Sequence, residues 1–205
     1  MSVRSKLALT ASAAVVAAAT LTASGNATAS GPATSARAGA TYVVLKGGAT
    51  TLRLNPGTAK VLTDNGISVA PASEARVRST GIAFPIQGGL LNSKTLAGKV
   101  KHSGGLTFSA GGKDLTIRDF TINTAKKTLS ACVDEAGARI PVLNLNLAKA
   151  KVKVTKKHLT VSNVKAKLTS GAASALNSYY STSLFKGGLK IGTATMSASS
   201  KILRG

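Results

Sequence analysis

From Thr41 onward the apolar residues mostly alternate with polar ones, with turn residues roughly every 8–12 positions. A period of two places alternate side chains on opposite faces of a strand. It predicts strands over 42–46, 50–54, 67–70, 82–86, 99–110, 114–123, 128–133, 139–147, 150–155, 158–161, 164–168 and 189–197. Gly111-Gly112 and residues 134–137 read as hairpin turns, because glycine accepts positive φ without strain. Three segments change parity in mid-course. Leu143, Leu145 and Leu147 give way to Val152 and Val154, Leu115 and Ile117 to Phe120 and Ile122, and Leu159 and Val161 to Val164, Ala166 and Leu168. Each slip turns the apolar face over, so either a bulge restores the facing or the chain crosses between sheets. Short helices are expected over 56–63, entered at Asn55-Pro56, and over 170–180, capped by Ser170 and closed by Gly187-Gly188. The fold class read from these patterns is all-β: a two-sheet antiparallel β-sandwich with one or two short helices.

The amino-terminal region follows a different rule. Arg4 and Lys6 precede an apolar run from Leu7 to Leu21, and Ala27-Thr28-Ala29 follows, the arrangement of a secretory signal peptide over 1–29. Residues 30–41 are poor in large apolar groups and read as a flexible linker, leaving 42–205 as one domain. An exported, extracellular protein, whether free or wall-associated, meets few nucleotide cofactors, which lowers the expectation of ATP or NAD chemistry.

Net charge sharpens the choice of partner. It is +21 for the whole chain and +19 once Arg4 and Lys6 are set aside, which draws the protein to polyanions such as wall polymers or to an anionic small molecule. Trp is absent and only 3% of residues are aromatic, so stacking platforms for nucleic acid are not expected. Cys132 is the single cysteine, read as a buried small hydrophobe; it rules out an internal disulfide and a thiolate metal cluster. The six carboxylates are scattered, HExxH and GxSxG are missing, and the phosphate-loop-like run from Gly88 to Thr95 has Ser93 where the loop needs glycine. No enzyme activity and no metal site are expected.

Among candidate ligand-binding residues, His102 shares its parity with Val100, Leu106 and Phe108, so an unbroken strand aims it inward, where a backbone-bonded imidazole is the plainer reading and a pocket role the alternative. Tyr179 and Tyr180 end the second helix and Tyr42 opens the first strand. Helix-end tyrosines commonly pack one ring face and keep the hydroxyl in water, but a phenolate can also ligate haem iron. His158 is out of phase with its apolar neighbours and reads as solvated. Lys149, Lys151, Lys153, Lys156, Lys157, Lys165 and Lys167 form a basic face, read either as an aggregation-proof surface or as a polyanion site.

Phe84-Pro85-Ile86-x-Gly88-Gly89, the run from Gly98 to Leu106, and Leu115-Thr116-Ile117-x-Asp119 together resemble the HtaA domain of exported actinobacterial proteins, over roughly 47–198. The resemblance implies a secreted or surface β-rich domain that binds haem through a tyrosine ligand supported by a histidine. This chain departs from it at both ligand positions. The stretch corresponding to the family's tyrosine, 54–62, has no aromatic residue, and Gly111-Gly112 stand where the family carries its histidine. The expectation is an exported, non-enzymatic binding module of the cell envelope for haem or another anionic ligand. The alternative is a structural wall-associated protein held on anionic polymers by its Lys-rich face.

Overall fold

Val, Ile and Thr recur along the strands, and breaks in their course fall at Gly47, Gly104, Asp119 and Asn163, which take positive φ. The computed structural model describes residues 41–134 and 137–204; the expected signal peptide and nearly all of the expected linker lie outside these, as do residues 135 and 136 of the expected turn. The strands are β1 (Thr41–Leu54), β2 (Ser68–Ala72), β3 (Arg76–Arg78), β4 (Gly81–Asn92), β5 (Gly98–His102) and β6 (Gly105–Ala110), followed by β7 (Lys113–Asn123), β8 (Thr128–Val133), β9 (Ala138–Asn146), β10 (Lys151–Val154), β11 (His158–Leu168) and β12 (Lys190–Arg204). Helix α1 (Pro56–Asp64) follows β1, and α2 (Ser170–Tyr180) follows β11.

The chain is mostly β with two short helices, but it is not a two-sheet sandwich. One sheet runs β7-β5-β4-β1-β12-β11-β9-β8, and β8 pairs back onto β7, closing an eight-stranded barrel. Every pairing is antiparallel. Two of the three parity slips are therefore bulges, the other outcome that the pattern allowed; the third falls at the turn between β9 and β10, beyond which Val152 and Val154 are exposed. In β7 the pairing with β8 shifts between Arg118 and Thr121, and Asp119 takes φ 55. In β11 the pairing with β12 shifts between Val161 and Val164, and Asn163 takes φ 60. A bulge bends its strand and increases the local twist, which is how a sheet curves enough to meet itself.

Both bulges also mark a change of partner. Before Asp119, β7 pairs with β6, and after it with β5; the segment predicted as one strand over 99–110 breaks at Gly104, whose φ is 82. Likewise β11 pairs with β10 before Asn163 and with β9 after it. Strand β1 spans two of the predicted strands through a bulge at Gly47, so Val43 and Leu45 on one side and Thr50 and Leu52 on the other all face the interior.

Strands β1 and β11 flank β12 and run the same way, so α1 and α2 sit at the same end of the barrel. Asn55 caps α1 by accepting from Thr58 N at 3.2 Å, and Thr169, rather than Ser170, caps α2 by accepting from Ala172 N at 3.1 Å. Leu62 of α1 and Ala172 and Ala173 of α2 join Leu52, Phe84, Phe120 and Phe185 in the core at that end. A second cluster around Val43, Leu91, Val100 and Leu159 packs toward the opposite end. Cys132, expected to be buried, is half-buried instead, because it alternates with the inward Ala131 and Val133 and lies 3.2 Å from Arg139 Nη2.

The close packing of β1 on β12 makes a direct prediction. At Gly48, φ is 113 and an added Cβ would lie 2.2 Å from the Ser197 carbonyl oxygen, whereas at Gly111 nothing lies within 4 Å. Gly48→Ala should cost about 3 kcal/mol or more in urea denaturation. Gly111→Ala should cost about 1 kcal/mol, the left-handed backbone penalty alone.

Candidate functional site

Because the barrel is built largely from Val, Ile, Leu and Ala, its interior is not filled. A cavity of about 620 Å³ runs from Leu54, Leu62, Leu176 and Tyr179 at the helical end toward Leu96, Thr124, Leu147 and Val152 at the other. Its polar lining consists of threonines together with His102 and Tyr179, and no charged side chain faces it. Eight strands enclose an interior that side chains can just fill or that can hold one small ligand. In this barrel part of the space is left for a ligand.

His102 is placed by the alternation of β5, which turns Val100 and His102 inward, and it is 4% exposed. The Phe120 carbonyl can only accept, so His102 Nδ1 carries the proton and donates to it at 3.3 Å. Nε2 then accepts from Thr50 Oγ1 at 2.8 Å. Burial lowers the pKa from its ordinary 6.5 to about 4, against the opposing pull of the Phe120 and Val100 backbone. The imidazole is neutral at physiological pH, with Nε2 as its one acceptor.

The tyrosines do not converge on it. Tyr42 alternates with the core residue Val43 and lies opposite Leu203 and Asn92, so it faces out of the barrel and is no ligand for the interior. Tyr179 donates to the Asp114 carbonyl at 2.6 Å and Tyr180 to the Phe108 carbonyl at 2.7 Å. Their rings meet edge to face at 4.9 Å. The hydroxyls expected in water thus staple α2 to the β6–β7 hairpin. Tyr179 nevertheless lines the cavity, and Lys113 stands beside it, donating to its carbonyl at 3.1 Å. Gly111-Gly112 form the turn of this hairpin, so Tyr179 reaches the neighbourhood of the turn where the resemblance would put a histidine.

The seven lysines are all exposed. Lys151 and Lys153 lie on β10, Lys149 just before it, Lys156 and Lys157 in the turn that follows, and Lys165 and Lys167 beyond the Asn163 bulge. His158 is exposed as expected. Sequence reasoning missed Thr50 as the partner of His102; its parity with Leu52 and Leu54 was the available signal, but which strand it would face was not.

The His102 environment predicts a pH effect. Above pH 6.5 the imidazole is neutral in both the folded and the unfolded chain. As pH falls toward about 4 the unfolded chain binds the proton first, so stability declines with a limiting slope of about 1.4 kcal/mol per pH unit. Compared with His102→Gln, the wild-type protein should lose roughly 2–3 kcal/mol more between pH 7.5 and pH 4.5 in urea denaturation. Parallel losses in both proteins would show that His102 titrates freely.

Known proteins share this architecture. A crystal structure of the C-terminal domain of HtaA from Corynebacterium glutamicum is similar, with a TM-score of 0.59 and 15% identity, over 77% of this chain and 99% of that one. The domain-swapped dimer of the H434A variant of that domain gives a TM-score of 0.50 and 16% identity, over 70% and 90% of the two chains. The heme binding protein HtaB from the same organism aligns with a TM-score of 0.47 and 13% identity, over 79% and 97%. No curated protein matches the chain. The family model named HtaA, however, matches residues 59–184, more than half of the sequence, and the chain belongs to the HtaA family.

Proposed function

We propose that this protein is an exported, non-enzymatic binding protein that holds a small, largely apolar ligand of the haem type in the cavity of its barrel. The carrying observation is that cavity: about 620 Å³, apolar-lined, without a charged side chain, and within the roughly 300–1,000 Å³ of small-molecule sites. Membership of the HtaA family and the leader-like amino terminus support the same reading.

Haem would be cargo rather than a resident cofactor, and the residues fit it in part. The cavity suits the apolar body of a porphyrin. Lys113, beside Tyr179, supplies a cation for carboxylates at that end. The ligand positions that the resemblance implies are not matched, so the iron would be held by Tyr179 or His102, the two titratable groups among the cavity's lining residues. Both are engaged: Tyr179 would have to release the Asp114 carbonyl, or His102 Nε2 would have to give up Thr50. The His102 option has its second nitrogen already oriented by a backbone carbonyl, the usual support of a metal-bound imidazole.

Titration with haemin followed by Soret absorbance tests this reading. Saturable one-to-one binding is expected, changing little between about 50 and 500 mM salt because the site is apolar. Tyr179→Phe or His102→Ala should alter the spectrum, whichever residue supplies the ligand. Ala194→Phe, which adds a ring inside the cavity, should weaken binding at least tenfold while thermal unfolding verifies the fold. Binding that disappears with salt, or that survives Ala194→Phe unchanged, overturns the proposal.

A further inference from the structure

The outer face of the barrel carries a second concavity, of about 940 Å³, on the side formed by β12, β1 and β4. Its floor is made of small outward residues: Ala49 and Thr51 of β1, Ala83 and Pro85 of β4, and Thr193, Thr195 and Ser197 of β12. These are the residues that alternate with the inward Thr50, Leu52, Phe84, Ala194 and Met196, so the sheet itself fixes them as a hydroxyl-bearing surface. The rim is tall and cationic. Arg53 stands at the end of β1, Arg76 and Arg78 on β3, and Lys165 on β11; Glu74 is the one carboxylate among the lining residues.

None of these four cations takes part in an ion pair among the described residues. All four are exposed: Arg76 donates to the Ser73 and Ala75 carbonyls and Lys165 to Thr193 Oγ1 at 2.9 Å, whereas Arg53 and Arg78 make no side-chain hydrogen bond among the described residues. The rims on β3 and β11 are separated by β4, β1 and β12. Four strand spacings amount to roughly 19 Å, wide enough for one extended polymer strand to lie between them. No aromatic residue lines the groove, so it offers nothing on which a base could stack.

We infer that this groove binds an anionic polyol or sugar-phosphate chain, with Arg53, Arg76, Arg78 and Lys165 meeting the phosphates and the Thr and Ser floor meeting the hydroxyls. Planar guanidinium groups suit phosphate better than a row of separate ammonium charges does. The site thereby differs from the lysine row on β10, none of whose members lines the groove. It is also independent of the cavity, which lies on the other face of the same strands.

Calorimetric titration of the protein with a glycerol-phosphate oligomer tests the inference. Two variants each remove two positive charges: Arg53→Ser/Arg78→Ser in the groove and Lys151→Ser/Lys153→Ser on β10. The groove variant should lose at least tenfold in affinity and the β10 variant less than threefold, with both retaining the wild-type circular dichroism spectrum. Single-stranded DNA of equal charge should bind at least tenfold more weakly than the oligomer. Equal losses in the two variants, equal binding of DNA, or no binding of the oligomer would each overturn the assignment. Should only the groove variant misfold, Arg78→Ser alone, at an exposed position without a side-chain hydrogen bond among the described residues, provides the same comparison.

Discussion

The structure depends on a single seam, the pairing of β7 with β8 that closes the sheet on itself. The seam carries the Asp119 bulge, and charged side chains hold that bulge in place. Arg139 donates through Nη1 to the Asp119 carbonyl at 2.6 Å and to Thr121 Oγ1 at 3.2 Å, bonding both sides of the register shift. Arg118 bridges Asp119 and Asp134, tying the bulge to the end of β8. Exposed ion pairs are weak one at a time, and here they act together with the Arg139 hydrogen bonds on the same bulge. On the adjoining side, Asp119 N donates to the Gly104 carbonyl at 3.1 Å, so the bulge of β7 and the break between β5 and β6 form one joint. β6 and β2 leave the barrel at that joint while β5 continues within it.

Closure has a consequence for the interior. A sandwich can draw its sheets together until their side chains interdigitate, but a closed barrel has a circumference set by strand number and stagger, and its side chains must fill what that leaves. A chain with no Trp and only four Phe and three Tyr does not fill it. Phe84 and Phe120 pack edge to face at 5.0 Å, and the space beyond them remains open and apolar. The two titratable groups that line it, His102 with its partner Thr50 and Tyr179, are each hydrogen-bonded within the protein. Ligand capture through either must therefore exchange one good interaction for another, a condition that favours a ligand with strong apolar contacts of its own.

Much of the fold is legible along the chain, since the strands, both helices and the inward aim of His102 follow from periods of two and from capping residues. The parity slips also locate the bulges at Asp119 and Asn163 to within a few residues. What one sequence does not express is what the bulges accomplish. A slip looks the same whether the strand crosses to a second sheet or bends a single sheet into a ring, and the difference lies in the β7–β8 register and in Arg139 reaching Asp119. Strand β3 is illegible because three residues, Arg76, Val77 and Arg78, are too few to show a period; with it goes the cationic rim of the outer groove. The tyrosine pair stands out in the sequence, but its bonds to Phe108 and Asp114 join residues more than sixty positions apart. The cavity is a property of closure and has no local signature.

The most direct test of the account is to ask where a porphyrin sits. Methyl-labelled protein titrated with a diamagnetic metalloporphyrin and followed by NMR should show its shift changes on interior methyls such as Leu54, Leu62, Leu115 and Ile117, which line the cavity. The exposed methyls of Leu90, Val77 and Leu203 should remain unperturbed. Changes confined to those exposed methyls, with the interior silent, would contradict the claim that the barrel closes around a binding cavity.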